Sequence, residues 1–307
     1  MRLFRGLCRF AVLAVAVLLA APPLRAAPAA CAGLADRWHG EGATLTGIQA
    51  NALLLTAGDN GCTTLVAAML DAGAPLETQD RIGNTVLIHA ARAGQIELVQ
   101  MLLARGADLA HRNATGATAL FSAVERNQMA AALLLLDRGA DPNTPGRSGA
   151  TPLAAAAFNG NDAIAAALLA HHADPQVADR TGKPPIVYAA ARAAGPLVQR
   201  LLAAGIDVNA RYANALTVLM WAAGYADGDN DADALALVGD LLMRGAAPDA
   251  TDDRGRTALM IAAERGHAEV VTLLLTHGAD ATRHDHQGHT AADLAASDAV
   301  RRALLPG

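Results

Sequence analysis

The stretch Gly83-Asn84-Thr85-Val86-Leu87 is the first clear copy of a pattern that returns throughout the chain. Its threonine position recurs every 33 residues as far as Thr217, then after 40 residues, and then after 33 once more. A self-similar period of about 20–50 residues is typical of solenoids built from one small unit. The copies of the threonine position are Thr85, Thr118, Thr151, Pro184, Thr217, Thr257 and Thr290.

Each unit of this pattern predicts two short helices. Thr85 is a good N-cap for a first helix over 86–93, and Gly94 ends that helix. A second helix is predicted over 96–105, and Gly106 suits the left-handed conformation that closes a helix. One unit has too little apolar surface to fold alone, so its leucines and alanines must be buried against neighbouring units.

The repeated unit resembles that of the ankyrin-repeat family over residues 47–305, with a degenerate first copy ahead of Thr85. The resemblance implies an all-α solenoid of about eight helix-turn-helix units, joined by extended turns or short hairpins. The family usually carries a histidine three residues after the threonine, where it joins hydrogen bonds between repeats. This chain has apolar residues there, so we expect apolar packing in place of that polar link. They are Ile88, Phe121, Ala154, Val187, Met220 and Met260.

Residues 1–29 have the features of a secretory signal peptide. Three arginines precede an apolar run over 10–21, which is too short to span a bilayer, and Ala27-Pro28-Ala29 forms a cleavage site. We expect cleavage after Ala29 and no stable membrane insertion; an uncleaved membrane anchor is the alternative. Residues 30–46 then form an N-terminal segment that could cap the repeat domain at 47–305. The short signal, and arginine in place of lysine everywhere except Lys183, favour the periplasm of a Gram-negative bacterium.

Two cysteines remain after the signal peptide is removed. In an oxidising compartment, Cys31 and Cys62 are expected to form one disulfide that joins the N-terminal segment to the first repeat. Lipidation of Cys31 is an alternative, because residues 28–31 faintly resemble a lipobox with proline in an unsuitable position. Two free thiols are the third possibility.

Composition excludes several classes of function. The 307 residues are 53% hydrophobic but 3% aromatic, and the net charge of −5 is modest, so the chain is not disordered. Removal of four arginines with the signal leaves 20 basic and 29 acidic residues, a net charge of about −9. Such acidity argues against a nucleic-acid partner. No nucleophile–base pair or phosphate-binding glycine loop stands out, so we expect neither catalysis nor a cofactor.

Two groups of residues were considered as metal ligands, and neither predicts a site. Asp229, Asp231, Asp233 and Asp240 follow the spacing of a calcium loop, but Ala234 replaces the required glycine. We expect an acidic loop between helices instead, with Asp233 as a possible helix cap. His284, His286 and His289 lack a convincing fourth ligand.

The family resemblance implies that partners bind at the turn tips and along the exposed side of each first helix, on the concave face. The residues carried over to those positions include ten basic and two acidic side chains, so we expect a locally basic face that binds an acidic protein partner. Alternatively, these basic side chains are solvated or paired within the turns. The candidate partner-binding residues are Arg81, Asn84, Arg92, Arg126, Arg147, Phe158, Arg180, Lys183, Arg192, Tyr225, Arg254, Arg256 and Arg265.

These observations predict a monomeric, non-catalytic protein-binding module in the periplasm, acting as a scaffold or as an accessory factor for a partner enzyme. An immunity-type inhibitor that neutralises a toxin or enzyme is one alternative, and a metal-responsive binder is another. The monomer is expected because polar residues interrupt the apolar face of the last repeat, as solenoid ends require. They are Asp293, Ser297, Asp298, Arg301 and Arg302.

Overall fold

The computed structural model describes residues 29–224 and 231–305, except for the side chains of Ala43, Arg147 and Asp231. Residues 1–28 of the expected signal peptide lie outside the described residues. So do Tyr225 and the start of the acidic stretch with Asp229.

The described residues form sixteen α-helices, most of them in antiparallel pairs that stack into a solenoid. The all-α solenoid predicted from the period is therefore confirmed. An N-terminal helix, α1 (Ala29–Glu41), precedes the pairs, and α16 (Asp298–Ala303) ends the chain. The first helices of the pairs are α2 (Gly47–Asp59), α4 (Val86–Ala93), α6 (Ala119–Glu125), α8 (Pro152–Phe158), α10 (Pro185–Ala191), α12 (Val218–Ala223) and α14 (Ala258–Arg265). The second helices are α3 (Thr63–Asp71), α5 (Ile96–Ala104), α7 (Met129–Asp137), α9 (Asp162–Ala170), α11 (Gly195–Ala203), α13 (Asp231–Met243) and α15 (Ala268–Thr276).

The recurring threonines start the first helices. The hydroxyl of Thr85 accepts a hydrogen bond from the amide of Ile88 at 3.4 Å, and Thr118, Thr151, Thr217 and Thr257 make the equivalent bond. Each bond satisfies one of the amides that a helix leaves free at its N-terminus. Pro184 occupies the same position without a capping bond, so α10 starts less favourably than its neighbours.

The core runs the length of the stack, between the first and second helices and from one pair to the next. One aliphatic residue per first helix is buried at the same register, and a buried alanine or pair of alanines follows it. The small side chains allow neighbouring first helices to pack closely, which explains why the chain contains so much alanine and few aromatic residues. The aliphatic residues of this register are Leu54, Leu87, Leu120, Leu153, Ile186, Leu219 and Leu259.

The turns between pairs are short hairpins, as expected. Two of them contain an isolated antiparallel bridge, between Gln79 and Thr85 and between Arg211 and Thr217. A single 3-10 turn lies at the tip of one other hairpin, Arg147–Gly149, and at the tip enclosed by the Arg211–Thr217 bridge, Ala213–Ala215. Ser148 and Asn214 adopt a left-handed conformation there.

The 40-residue spacing produces a longer helix as well as a longer connection. Helix α13 has 13 residues, whereas α11 and α15 have 9 each, so part of the excess is one additional helical turn at its N-terminus. Asp233 is the third residue of that helix. The expectation that Asp233 belongs to a loop and caps the helix is therefore wrong.

Both ends of the stack carry additional structure. Helix α1 packs against α2 and α3, and a disulfide joins Cys31 to Cys62 with 5.4 Å between their Cα atoms. At the other end, the first helix of the last repeat is reduced to a turn over 291–294, followed by α16 against α15. Among the described residues, no helix has the length and hydrophobicity needed to cross a bilayer.

Candidate binding face

An aspartate or asparagine organises most of the hairpin tips. One carboxylate oxygen of Asp80 accepts hydrogen bonds from the amides of Ile82 and Asn84, each at 2.9 Å. Burial alone would raise the pKa of Asp80, but these bonds, the Asn84 side chain and the neighbouring His89 together lower it below its ordinary value. The same turn recurs at Asn113, Asp179, Asp252 and Asp285.

Backbone hydrogen bonds connect one tip to the next. The amide of Ala114 donates to the carbonyl of Ile82 at 2.8 Å, and the amide of Arg180 donates to that of Ser148 at 3.0 Å. Further along, the amide of His286 donates to the carbonyl of Arg254 at 2.9 Å. These bonds hold neighbouring tips in fixed register, so side chains on successive tips keep a fixed spacing.

Asn84 does not belong to the exposed face. Its side chain is 3% exposed, and its amide donates to Asp80 at 2.9 Å while its carbonyl accepts from the Asn113 amide at 2.7 Å. The prediction that Asn84 offers its side chain to a partner is wrong, because the hairpin folds this side chain inward to join two tips.

Six of the predicted arginines are exposed, and their guanidinium groups make no hydrogen bond or ion pair with any described residue. Three lie on or beside tips and three lie at or just after the C-terminal ends of first helices, so the two sets border the same face. They are Arg81, Arg180 and Arg254 at the tips, and Arg126, Arg192 and Arg265 at the helix ends.

Three other predicted cations are committed to contacts within the protein. Arg92 pairs with Asp59 at 3.3 Å, and Arg256 lies between Asp252 and Glu264 at 2.9 and 3.0 Å. The ammonium group of Lys183 lies 5.3 Å from the ring centroid of Trp221, a cation–π contact. The alternative that these basic residues are paired within the turns therefore holds for part of the set.

Two predicted residues have no described side chain. Arg147 lies at the start of the 3-10 turn at 147–149, but only its backbone is described. Tyr225 lies outside the described residues.

A groove opens at the centre of the concave face. It encloses about 710 Å³ and is lined by Phe121, Ala154, Ala155, Phe158 and Tyr188, together with polar residues from the tips and from the end of α6. We call this feature the central groove. Phe158 is 59% exposed and its ring meets that of Tyr188 edge-on, with centroids 6.1 Å apart.

Tyr188 is held in place by Asp179, to whose carboxylate its hydroxyl donates a hydrogen bond. Burial, followed by the hydrogen bond and charge of Asp179, raises the pKa of Tyr188 to about 12. Burial would raise the pKa of Asp179, yet bonds from Tyr188, Thr181 and the Lys183 amide lower it overall. Tyr188 was not predicted as a site residue; the sequence signal available was its place in the repeat register, one residue after Val187 on a first helix.

Comparison with known proteins identifies the family that shares this arrangement. A family model described as ankyrin repeats, in three copies, matches residues 53–146, 131–212 and 219–306. The chain belongs to the ankyrin-repeat family. Ankyrin repeats are generally protein–protein interaction modules, and the fold is typically a non-catalytic scaffold.

Two comparisons show how far this ankyrin-repeat chain is similar to known proteins. The human ankyrin repeat domain-containing protein 63 is 39% identical over 83 residues, which are 27% of this chain and 21% of the relative. The chain thus spans about a fifth of the length of that relative. The crystal structure of the human ASB11 ankyrin repeat domain is 30% identical, with a TM-score of 0.65, over 72% of this chain and 96% of that one.

A polar link between repeats exists in this ankyrin-repeat chain, although not at the usual position. Ile88 and its five counterparts are buried, as expected for apolar packing. The next residue, His89, is also buried, and its Nδ1 and Nε2 atoms lie 2.7 Å from Asp59 and 3.1 Å from Asp80. The prediction of purely apolar packing was therefore incomplete, because Asp59 belongs to the preceding repeat and approaches His89 only after the repeats have stacked.

The residues considered as metal ligands are not brought together. Within 29–224 and 231–305, no group of three or more His, Cys, Asp or Glu side chains is placed to hold a metal ion. Asp240 pairs with Arg244 at 2.8 Å, and His289 lies 3.4 Å from Asp285. Asp229 lies outside the described residues.

Proposed function

We propose that this ankyrin-repeat chain is a non-catalytic module that binds an acidic protein partner through its concave face and turn tips. It works as a monomer in the periplasm of a Gram-negative bacterium, as a scaffold or as an accessory factor for a partner enzyme. The observation that carries the proposal is the set of six exposed arginines that have no partner among the described residues: Arg81, Arg126, Arg180, Arg192, Arg254 and Arg265.

The charge distribution supports an acidic partner. After removal of the signal peptide the net charge of the chain is about −9. The unpaired cations on one face therefore have the opposite sign to the net charge of the protein. Elsewhere on this face, Arg92 and Arg256 have acidic partners within the protein. A cation that lacks such a partner remains available for a carboxylate on another protein, and complementary charges of this kind steer association and select partners.

The periplasmic location is supported by two independent features. The signal-like segment at 1–29 precedes the repeats, and Cys31 is joined to Cys62 by a disulfide that would persist in an oxidising compartment. If the location is correct, the exported chain begins at Ala30, which N-terminal sequencing of periplasmic protein would establish. Recovery of an uncleaved chain in the cytoplasm would contradict it.

Charge reversal tests the binding face. We would immobilise the wild-type chain, the double variant Arg126→Glu/Arg180→Glu and the control Arg138→Glu/Arg302→Glu, and capture proteins from a periplasmic extract of the source bacterium. The control changes the net charge by the same amount, but Arg138 and Arg302 lie at the end of α7 and in α16, away from the tips.

We expect wild type and control to retain the same acidic partner and the double variant to lose it. Retention by wild type should fall as salt is raised through about 0.1 M, where screening acts over about 10 Å. Equal retention by all three proteins would contradict the proposal.

A further inference from the structure

The central groove exists because one first helix carries only alanine at two positions of its concave side where its neighbours carry larger side chains. Helix α8 presents Ala154 and Ala155 at the positions where α10 presents Val187 and Tyr188. At the same register α6 presents Phe121 and Ser122, and α12 presents Met220 and Trp221. The wall therefore has a gap of about 710 Å³ between larger neighbours, with an apolar floor.

The walls of this gap are aromatic and well positioned. Phe158 stands at the C-terminus of α8 with 59% of its surface exposed, which is unusual for a phenylalanine. Its edge-on contact with Tyr188, whose hydroxyl is bound to Asp179, fixes the orientation of both rings. An exposed, pre-oriented aromatic side chain beside an apolar recess is typical of the residues that dominate binding at protein interfaces.

Two cations without a partner among the described residues lie at the groove. Arg126 lines it directly. The side chain of Arg180 lies over the tip that contains Ser148, since a Cβ atom on Gly149 would come 3.1 Å from its Cγ. Arg192 lies near Gly160, in a neighbouring cleft that also contains Asp162, Asp233 and Asp240.

The carboxylates at the groove do not cancel these cations. Asp179 already accepts hydrogen bonds from Tyr188, Thr181 and the amide of Lys183. Glu125, next to Arg126, is the other carboxylate in the lining. Arg126 and Arg180, which have no partner among the described residues, therefore face one uncommitted carboxylate, and the local charge favours an acidic ligand.

We propose that the central groove receives one large apolar side chain, aromatic or branched aliphatic, from an acidic segment of a partner protein. The apolar side chain lies on Ala154 and Ala155 against Phe158, and carboxylates on either side of it meet Arg126 and Arg180. This inference rests on the proposed function, because it names the anchor within the same binding face.

Selection from a library of short random displayed peptides tests the anchor without knowledge of the natural partner. We expect the selected peptides to share one large apolar residue flanked by aspartate or glutamate. Their affinity is then measured for three variants: Ala155→Leu, which fills the groove without changing charge; Phe158→Ser, which removes its wall; and Ala130→Leu, the control. Ala130 is exposed on α7, away from the groove.

Binding should weaken by about tenfold or more in Ala155→Leu and Phe158→Ser and remain unchanged in Ala130→Leu. Thermal unfolding followed by circular dichroism establishes that the variants are folded. Selected peptides that are basic, that lack an apolar residue or that bind Ala155→Leu as tightly as wild type would overturn the inference. Failure to enrich any peptide would overturn it as well.

The same variants separate this inference from the proposed function. If periplasmic capture is lost in Arg126→Glu/Arg180→Glu but unchanged in Ala155→Leu, the basic face binds the partner and the groove is not its anchor. If neither variant affects capture, the proposed function also fails.

Discussion

Phe121 and Gly146 lie against each other between two neighbouring repeats: a Cβ atom on Gly146 would come within 2.6 Å of the Phe121 ring. Phe121 occupies the position where the other first helices carry smaller or unbranched side chains, and it is buried. Gly146 occupies the tip position that holds aspartate or asparagine in most other hairpins. The Phe121 ring therefore fits at this position only because Gly146 has no side chain.

The first prediction concerns this contact. Gly146→Ala should destabilise the protein by about 1–3 kcal/mol, the usual range for overpacking a filled site. Denaturant unfolding measures the change. The control is Gly33→Ala in α1, where a Cβ would meet no atom within 4 Å. In a double-mutant cycle, Phe121→Leu should relieve part of the loss, and strictly additive effects would contradict the steric explanation.

His89 provides the second prediction. Its ring nitrogens face Asp59 and Asp80, which belong to different parts of the stack, so His89→Ala removes a link between the first two repeats. We expect a loss of about 1–3 kcal/mol in the free energy of unfolding, since partly buried carboxylates lose their donors. His284→Ala, at an exposed position, is the control. A result equal to that control would show that the link does not stabilise the stack.

Tyr188 and Asp179 give a pH-dependent prediction. The pKa of Tyr188 is raised to about 12 by burial and by Asp179, above the ordinary value of 10.0. A raised pKa means that folding favours the protonated phenol, so its contribution to stability is complete below pH 10 and is lost as the pH rises towards 12.

Phenolate absorbance during alkaline titration measures this shift. Tyr212 also has a pKa raised to about 12, by burial and then by Asp207, and serves as an internal reference. In Asp179→Asn, Tyr188 should titrate earlier than in wild type, while Tyr212 should not change. An unchanged titration curve for Asp179→Asn would contradict the assigned partner.

The disulfide gives the fourth prediction. Cys31 and Cys62 are 31 residues apart, so closing this loop restricts the unfolded chain and should contribute about 2–4 kcal/mol. The double variant Cys31→Ser/Cys62→Ser should lose that amount in denaturant unfolding, and wild type in reductant should behave like the variant. If reductant has no effect on wild type, the disulfide does not stabilise the N-terminal helix against the first repeat.

Pro184 gives the fifth prediction, in the direction of greater stability. It is the one copy of the capping position without a hydroxyl, and α10 lacks the capping bond found in α4, α6 and α8. Pro184→Thr should stabilise the protein by about 0.5–1 kcal/mol, whereas Thr151→Ala should destabilise it by about 1 kcal/mol. A destabilising Pro184→Thr would show that the rigidity of proline outweighs the missing cap here.

Much of the candidate face could be predicted from the sequence, because repeat register alone places residues such as Arg81 and Arg180 on tips. Register does not reveal what each side chain then contacts. Asn84 was predicted to be exposed and is buried, because its hairpin turns the amide towards Asn113 in the next tip. Arg256 was grouped with the available cations, but Asp252 and Glu264 approach it from the same repeat.

The sequence by itself determined the repeating unit, the starts of its helices and the solenoid that follows. Those features depend on local signals such as Thr85 and Gly94, which act on residues a few positions away. Only the tertiary structure decided which arginines remain unpaired, how His89 joins two aspartates, and that Ala154 and Ala155 leave an open groove. The reason is physical: these contacts join side chains from different elements of one repeat or from neighbouring repeats, and they form only when the hairpins and helices have packed together.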